Sequence, residues 1–192
     1  MASGKGSQFE RDVCRQLSLW WSEGENDDVF WRTSQSGGRA TTRAKSGKKT
    51  RGQEGDIAAT DPSGFVMTKL FTMELKRGYN DSDPIHCLDW ADGMAQQKFD
   101  KFLCQAEAAR SRSGSKYWLI IHKRDKRQPM CYFPTQLVKD FGNDFKWTYT
   151  ANFRIMLKNG PVIRFTGMPL KPFLAVVSPD RLKLMYKEWG DE

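Results

Sequence analysis

The chain has 192 residues, of which 39% are hydrophobic and 28% charged, enough for one domain with a real core and an appended hairpin. No run approaches the roughly eighteen apolar residues a membrane span needs, and the opening MASGKGSQFERD lacks the apolar stretch of a secretory signal, so no membrane partner and a cytoplasmic location are expected. The formal net charge is +8, and the seven basic residues from Arg32 to Arg51 (Arg32, Arg39, Arg43, Lys45, Lys48, Lys49, Arg51) carry nearly all of it, with no acid among them. A basic patch on a nearly neutral body points to a polyanion, most simply nucleic acid.

In chain order, Phe9, Val13 and Leu17, with Trp20 or Trp21 closing the stripe, predict a helix over 7–21. Ser7 is its expected N-cap, with Glu10 in the capping-box position. SEGENDD is a turn region and VFWRT a short strand. Residues 34–55 have almost no large apolar side chains and are expected to form a mobile basic loop, because such a segment cannot offset its ordering entropy. GDIAAT then predicts a strand, DPSG a turn, and FVMTKLFTMELKRG a longer strand. The expected product is an antiparallel hairpin that brings Asp56 near Glu74 and Lys76.

A second helix is expected over 91–111, with Phe99, Phe102, Ala106 and Ala109 on its apolar face. KYWLIIHKR suits a buried central strand, MCYFP another, and TQLVKDFG a short helix ended by Gly142. FRIMLKNGPVIRFT predicts a hairpin around Asn159-Gly160, and Ser178-Pro179 open a terminal helix. Cys14, Cys87, Cys104 and Cys131 are scattered, which favours reduced thiols over a disulfide framework. His86-Cys87 is the one adjacent pair that could join a metal site.

The chemistry concentrates around Gly55-Asp56, Glu74-Leu75-Lys76 and Glu10. Alternation along a strand puts Glu74 and Lys76 on one face and turns Leu75 into the core. Two carboxylates and an ammonium on one face are poor core design but suit a divalent cation. Magnesium takes hard oxygen ligands, needs only one or two protein carboxylates and keeps waters and substrate oxygens. Asp56 and Glu74 can supply such oxygens and the Leu75 carbonyl another, while Lys76 can orient a water or stabilise the transition state. An E-x-K tripeptide alone also fits a solvated strand face; Gly-Asp upstream, an acidic first helix and a basic loop argue for the cation.

KGSQFERDV (5–13), GD (55–56), ELK (74–76) and a later helix carrying Gln105 resemble the PD-(D/E)XK nuclease superfamily. The opening K-G-x-x-x-E-R-D is especially similar to archaeal and bacteriophage Holliday junction resolvases, and the likeness covers about residues 5–125. The resemblance implies a restriction-endonuclease-like α/β fold: a mixed central sheet flanked by helices in the order αβββαβ, here with a C-terminal β-hairpin/helix extension over 130–192, in a single domain spanning 1–192. It implies Glu10 as a helix-one acid that helps to hold the metal, Asp56 and Glu74 as metal ligands, Lys76 as the catalytic lysine and Gln105 near the scissile phosphate. Gln96 and Gln97 compete for the last role. Gly55 stands where the family pattern has Pro, and Ser34 or Ser36 is a further candidate.

The expected activity is therefore Mg2+-dependent endodeoxyribonuclease action, with Mn2+ able to substitute, on branched DNA and by a homodimer whose symmetry supplies paired cuts. Arg32, Arg39, Arg43, Lys48, Lys49 and Arg51 are the expected DNA contacts by location. The same chemistry on duplex or single-stranded DNA, as in restriction, replication or packaging, is the close alternative. A different class is a non-catalytic nucleic-acid-binding module built on the basic loop and Trp20, Trp21 and Trp31. A membrane-surface role is disfavoured by the lack of an amphipathic anchor.

Overall fold

A computed structural model describes residues 3–33, 54–88, 97–142, 148–157 and 160–190. Helix α1 (Ser3–Trp21) buries Phe9, Val13, Leu17 and Trp21, the stripe expected of it. It begins at Ser3, so Ser7 lies inside the helix and is not its N-cap. Ser18, fully buried, ties α1 to the next element: its Oγ donates to the Cys14 carbonyl at 2.8 Å and accepts the Phe30 N–H at 2.9 Å. Ser18→Ala strands that N–H inside the core and should cost about 1–3 kcal/mol, read from the denaturant midpoint at unchanged m.

Strand β1 (Phe30–Arg32) pairs antiparallel with β2 (Ile57–Ala59), with Trp31 opposite Ala58. The expected hairpin between 55–60 and 65–78 does not form. Residues 65–70 are helix α2 (Phe65–Leu70), and β2 has β1 as its partner. The cause is local. Asp61 accepts the Ser63 N–H, Pro62 starts a 3-10 turn over Pro62–Gly64, and that turn runs straight into α2. Met67 and Leu70, three residues apart, put the apolar side of α2 into the core.

Strand β3 (Phe71–Arg77) then forms one edge of a five-stranded sheet, joined by α3 (Lys98–Ser113) to β4 (Tyr117–Lys123), its parallel neighbour. β5 (Met130–Pro134), helix α4 (Thr135–Phe141), β6 (Ala151–Met156) and β7 (Val162–Pro169) follow, and the strand order is β3-β4-β5-β7-β6 with every pair after the first antiparallel. Helices α5 (Leu170–Val176) and α6 (Pro179–Gly190) complete the chain. Arg181 N–H donates to Ser178 Oγ at 3.3 Å, the cap expected for α6.

This is a mixed central sheet flanked by helices, and the element order follows the αβββαβ pattern with α2 inserted before the third strand, but β1 and β2 pair with each other apart from the central sheet. The C-terminal hairpin is no separate appendage, because β7 and β6 extend the central sheet beyond β5. Alternate residues of β4 divide the core. Tyr117, Leu119 and Ile121 face α1, α2 and the C-terminal helices, while Trp118 and Ile120 face α3 with Phe99, Phe102 and Phe165. Among the described residues no helix is long and apolar enough to cross a membrane.

Candidate active site

Asp56 reaches the edge of β3 by a route other than a hairpin. Its N–H donates to the Met73 carbonyl and its Oδ2 accepts the Leu75 N–H, both at 2.7 Å. From the other side, Thr33 N–H donates to the Asp56 carbonyl at 2.9 Å and Thr33 Oγ1 to the Gly55 carbonyl at 2.8 Å. Gly55 makes the approach possible with φ +82°, a left-handed conformation that only glycine adopts freely. Four hydrogen bonds thus fix the Gly55-Asp56 backbone and carboxylate between Thr33 and the strand edge, one of them, from the Leu75 N–H, made by the carboxylate itself.

Glu74 and Lys76 share the face of β3 that looks toward α3. Lys76 Nζ donates to Glu74 Oε2 at 2.8 Å and to Gln105 Oε1 at 3.0 Å, and lies 5.5 Å from the centre of the Phe102 ring. Leu75 is buried on the opposite face. Burial pushes the Glu74 carboxyl above the usual range and the nearby Asp56 charge adds to the rise, while Lys76 and Arg112 oppose it. Glu10, on α1, is also raised, by burial first and by Asp56 second, against Arg32, Arg11 and Lys76. Asp56 therefore lies in the electrostatic reach of both other acids.

Arg32 Nη1 stands 3.2 Å from Glu10 Oε2 as an ion pair, yet that buried oxygen receives no aligned hydrogen bond among the described residues. Two acids raised by burial and by the nearby Asp56 charge, and a buried carboxylate oxygen that receives no aligned hydrogen bond among the described residues, are what a cation would relieve. Among the described residues no three His, Cys, Asp or Glu side chains already stand at caging distance, but a hard divalent ion needs only one or two carboxylates. Leu75 adds a main-chain oxygen on the same edge, since the N–H and C=O of one strand residue point the same way. The donor set is all oxygen and fits such an ion.

Of the residues singled out from sequence, the structure brings Glu10, Arg32, Asp56, Glu74, Leu75, Lys76 and Gln105 to one end of β3. Gln97 precedes α3 as its N-cap residue, whereas the Lys76 ammonium bonds Glu74 and Gln105. Gln96, Ser34, Ser36, Arg39, Arg43, Lys45, Lys48, Lys49 and Arg51 lie outside the described residues. Cys14, Cys87, Cys104 and Cys131 form no disulfides, and His86 and Cys87 sit in a half-buried 3-10 turn. Trp21 is buried, Trp20 donates to the Leu174 carbonyl, and Trp31 is exposed. Sequence reasoning gave Phe102 only as part of an apolar helix face, and missed Arg112 and Glu54. The 102–105–112 spacing on α3 was the signal that could have found Phe102 and Arg112 as site residues.

His122 pairs with Lys76 in the β3–β4 register and is buried beside Phe99 and Phe102. Burial and then Arg124 drive its pKa down to about 4, against a hydrogen bond with the Tyr79 backbone. Because the folded value lies below the unfolded one, the unfolded chain binds the extra proton between about pH 6.5 and 4, and stability falls as pH drops through that window. The loss attributable to this residue is about 3 kcal/mol. His122→Leu should flatten that acid limb, which denaturant midpoints at pH 7 and near the lower limit would show.

An edge strand bearing a buried acid and a lysine two residues on, met by an aspartate from an adjoining loop and flanked by an acidic first helix, defines a site of the PD-(D/E)XK nuclease type. Residues 1–168 match the model of the family described as phage putative PDDEXK endonuclease, and the chain belongs to that family. The match runs well past residue 125, where the motif resemblance ends, and takes in β5, β6 and β7. No curated protein and no solved structure matches the chain. Membership points to a nuclease and implies DNA as the substrate, within a superfamily that generally uses a divalent metal.

Proposed function

We propose that the chain is a Mg2+-dependent endodeoxyribonuclease that cuts branched DNA as a homodimer, its whole length acting as one nuclease domain. The observation that carries the catalytic reading is the position of Lys76: its ammonium bridges Glu74 and Gln105 beside Asp56. Asp56, Glu74, the Leu75 carbonyl and Glu10 hold the ion. When bound, a divalent ion lowers the pKa of a coordinated water and offsets charge developing on the scissile phosphate.

Lys76 donates to the attacking water or to a phosphate oxygen, with Glu74 and Gln105 fixing its ammonium. Gln105 then offers its amide to the same phosphate. Arg32 holds Glu10 in place and, with Arg39, Arg43, Lys48, Lys49 and Arg51, supplies cationic contacts to the DNA backbone. Selectivity for branches rests on the likeness of the opening K-G-x-x-x-E-R-D to junction resolvases, and dimerisation on the paired cuts that a four-way junction requires.

The test is cleavage of a labelled four-way junction and a linear duplex of matched sequence, with magnesium or manganese, beside Glu74→Ala. Paired symmetric nicks in the junction alone, lost in the variant, are the expected result. Equal cutting of both substrates would remove the branch selectivity and keep the nuclease. No cutting by the intact protein with either metal would overturn the catalytic reading.

A further inference from the structure

Helix α3 buries Phe99, Phe102, Leu103, Ala106 and Ala109 against the sheet. Lys98, Lys101, Gln105, Ala108 and Arg112 are all exposed, and their alternating three- and four-residue spacing lays them along one stripe of the helix. The stripe carries three cations and no acid. At its middle, Gln105 accepts from Lys76 at 3.0 Å. At its C-terminal end, Arg112 donates through Nε and Nη2 to Glu54, which directly precedes Gly55-Asp56, and its charge is felt at Glu74. The stripe therefore passes over the site.

We infer that this stripe is the track for the phosphates flanking the cleaved bond, with Lys98 and Lys101 on one side of Gln105 and Arg112 on the other. The inference rests on the nuclease reading above and names the groups that hold the cut strand. From Lys98 to Arg112 the helix rises about 21 Å, which is the rise of about six nucleotides along one strand of a duplex. Ala108, short and uncharged, lets a backbone lie close between Gln105 and Arg112. Lys98 and Arg112 are at present held by Asp81 and Glu54 at 2.7 and 3.0 Å, with cation side chains 51% and 60% exposed. Exposed pairs of this kind contribute little, so a phosphate can replace the carboxylate.

The experiment is equilibrium binding of the full-length protein to a fluorescent duplex across a salt series in EDTA, with cleavage in magnesium assayed in parallel. Lys101→Gln and Arg112→Gln should each weaken binding and each reduce the slope of log K against log salt by about 0.9. Lys187→Gln, on α6 across the sheet, should leave the slope unchanged. Glu54→Gln breaks the same ion pair as Arg112→Gln but keeps the cation, and should retain or tighten binding. Wild-type slopes in both α3 variants would overturn the track, as would equal weakening by Glu54→Gln and Arg112→Gln. Altered slopes without cleavage by the intact protein would overturn the nuclease reading and leave α3 as a DNA-binding stripe only. Wild-type slopes with intact cleavage would overturn the track and leave the nuclease reading standing.

Discussion

Lys76→Gln should lower kcat by about 10²–10³-fold, the usual cost of removing one preorganised donor from a transition state. The change keeps a polar group of similar reach between Glu74 and Gln105 and the backbone of β3, so the fold should survive. Its second effect is electrostatic. Lys76 is the first of the groups that hold the Glu74 carboxyl down against burial and Asp56. Removing the ammonium raises the Glu74 pKa further, so more of it is protonated at a given pH and unable to serve as a ligand. The acid limb of the kcat profile should therefore move to higher pH. A pH series on the purified variant checks both parts, and an unshifted limb with an unchanged kcat would show that Lys76 only fills space.

Gly55→Ala should be the most damaging single methyl in the chain's active region. At φ +82° an added Cβ meets the Met73 carbonyl at 2.6 Å and the Met73 nitrogen at 3.1 Å. Both neighbours are backbone atoms of β3 and cannot rotate away. The left-handed conformation alone costs an L-residue about 1–2 kcal/mol, and the clash adds to it. A loss of about 3 kcal/mol, or roughly 6–12 °C in Tm, is expected. Activity should fall by more than stability accounts for, because the displaced loop carries Asp56 away from Leu75. Thermal melts and cleavage measured below the variant's own transition separate the two effects.

The same glycine shows what could be read in the sequence and what could not. The local patterns were legible: Phe9, Val13 and Leu17 on α1, Phe99, Phe102, Ala106 and Ala109 on α3, and the apolar run of β4 all bury as their periodicity demands. Strand alternation also gave the shared face of Glu74 and Lys76. The FVMTKL segment was not legible, because a short apolar run suits helix or strand equally, and the Asp61–Pro62 turn decides it. The partner of β2 was hidden for a different reason, since pairing with β1 is a contact across the whole basic stretch. Asp56 was placed beside Glu74 for the wrong reason: the expected hairpin is absent, and hydrogen bonds to Met73 and Leu75 make the contact. Gln105 could be preferred over Gln96 and Gln97 only by spacing, and its bond to Lys76 is a tertiary fact.

The two hydrogen bonds that join Asp56 to β3 have a consequence for the protein's behaviour in solution. β3 is an outer strand, and the outward-facing groups of such a strand are a template on which another chain can pair. The Asp56 N–H occupies the Met73 carbonyl, and the Asp56 carboxylate occupies the Leu75 N–H. One residue thereby closes the stretch of edge on either side of Glu74, so the aspartate proposed as a metal ligand also keeps the sheet from growing. An Asp56→Ala protein loses the side-chain half of that cover, and its solubility belongs beside its activity when the variant is read.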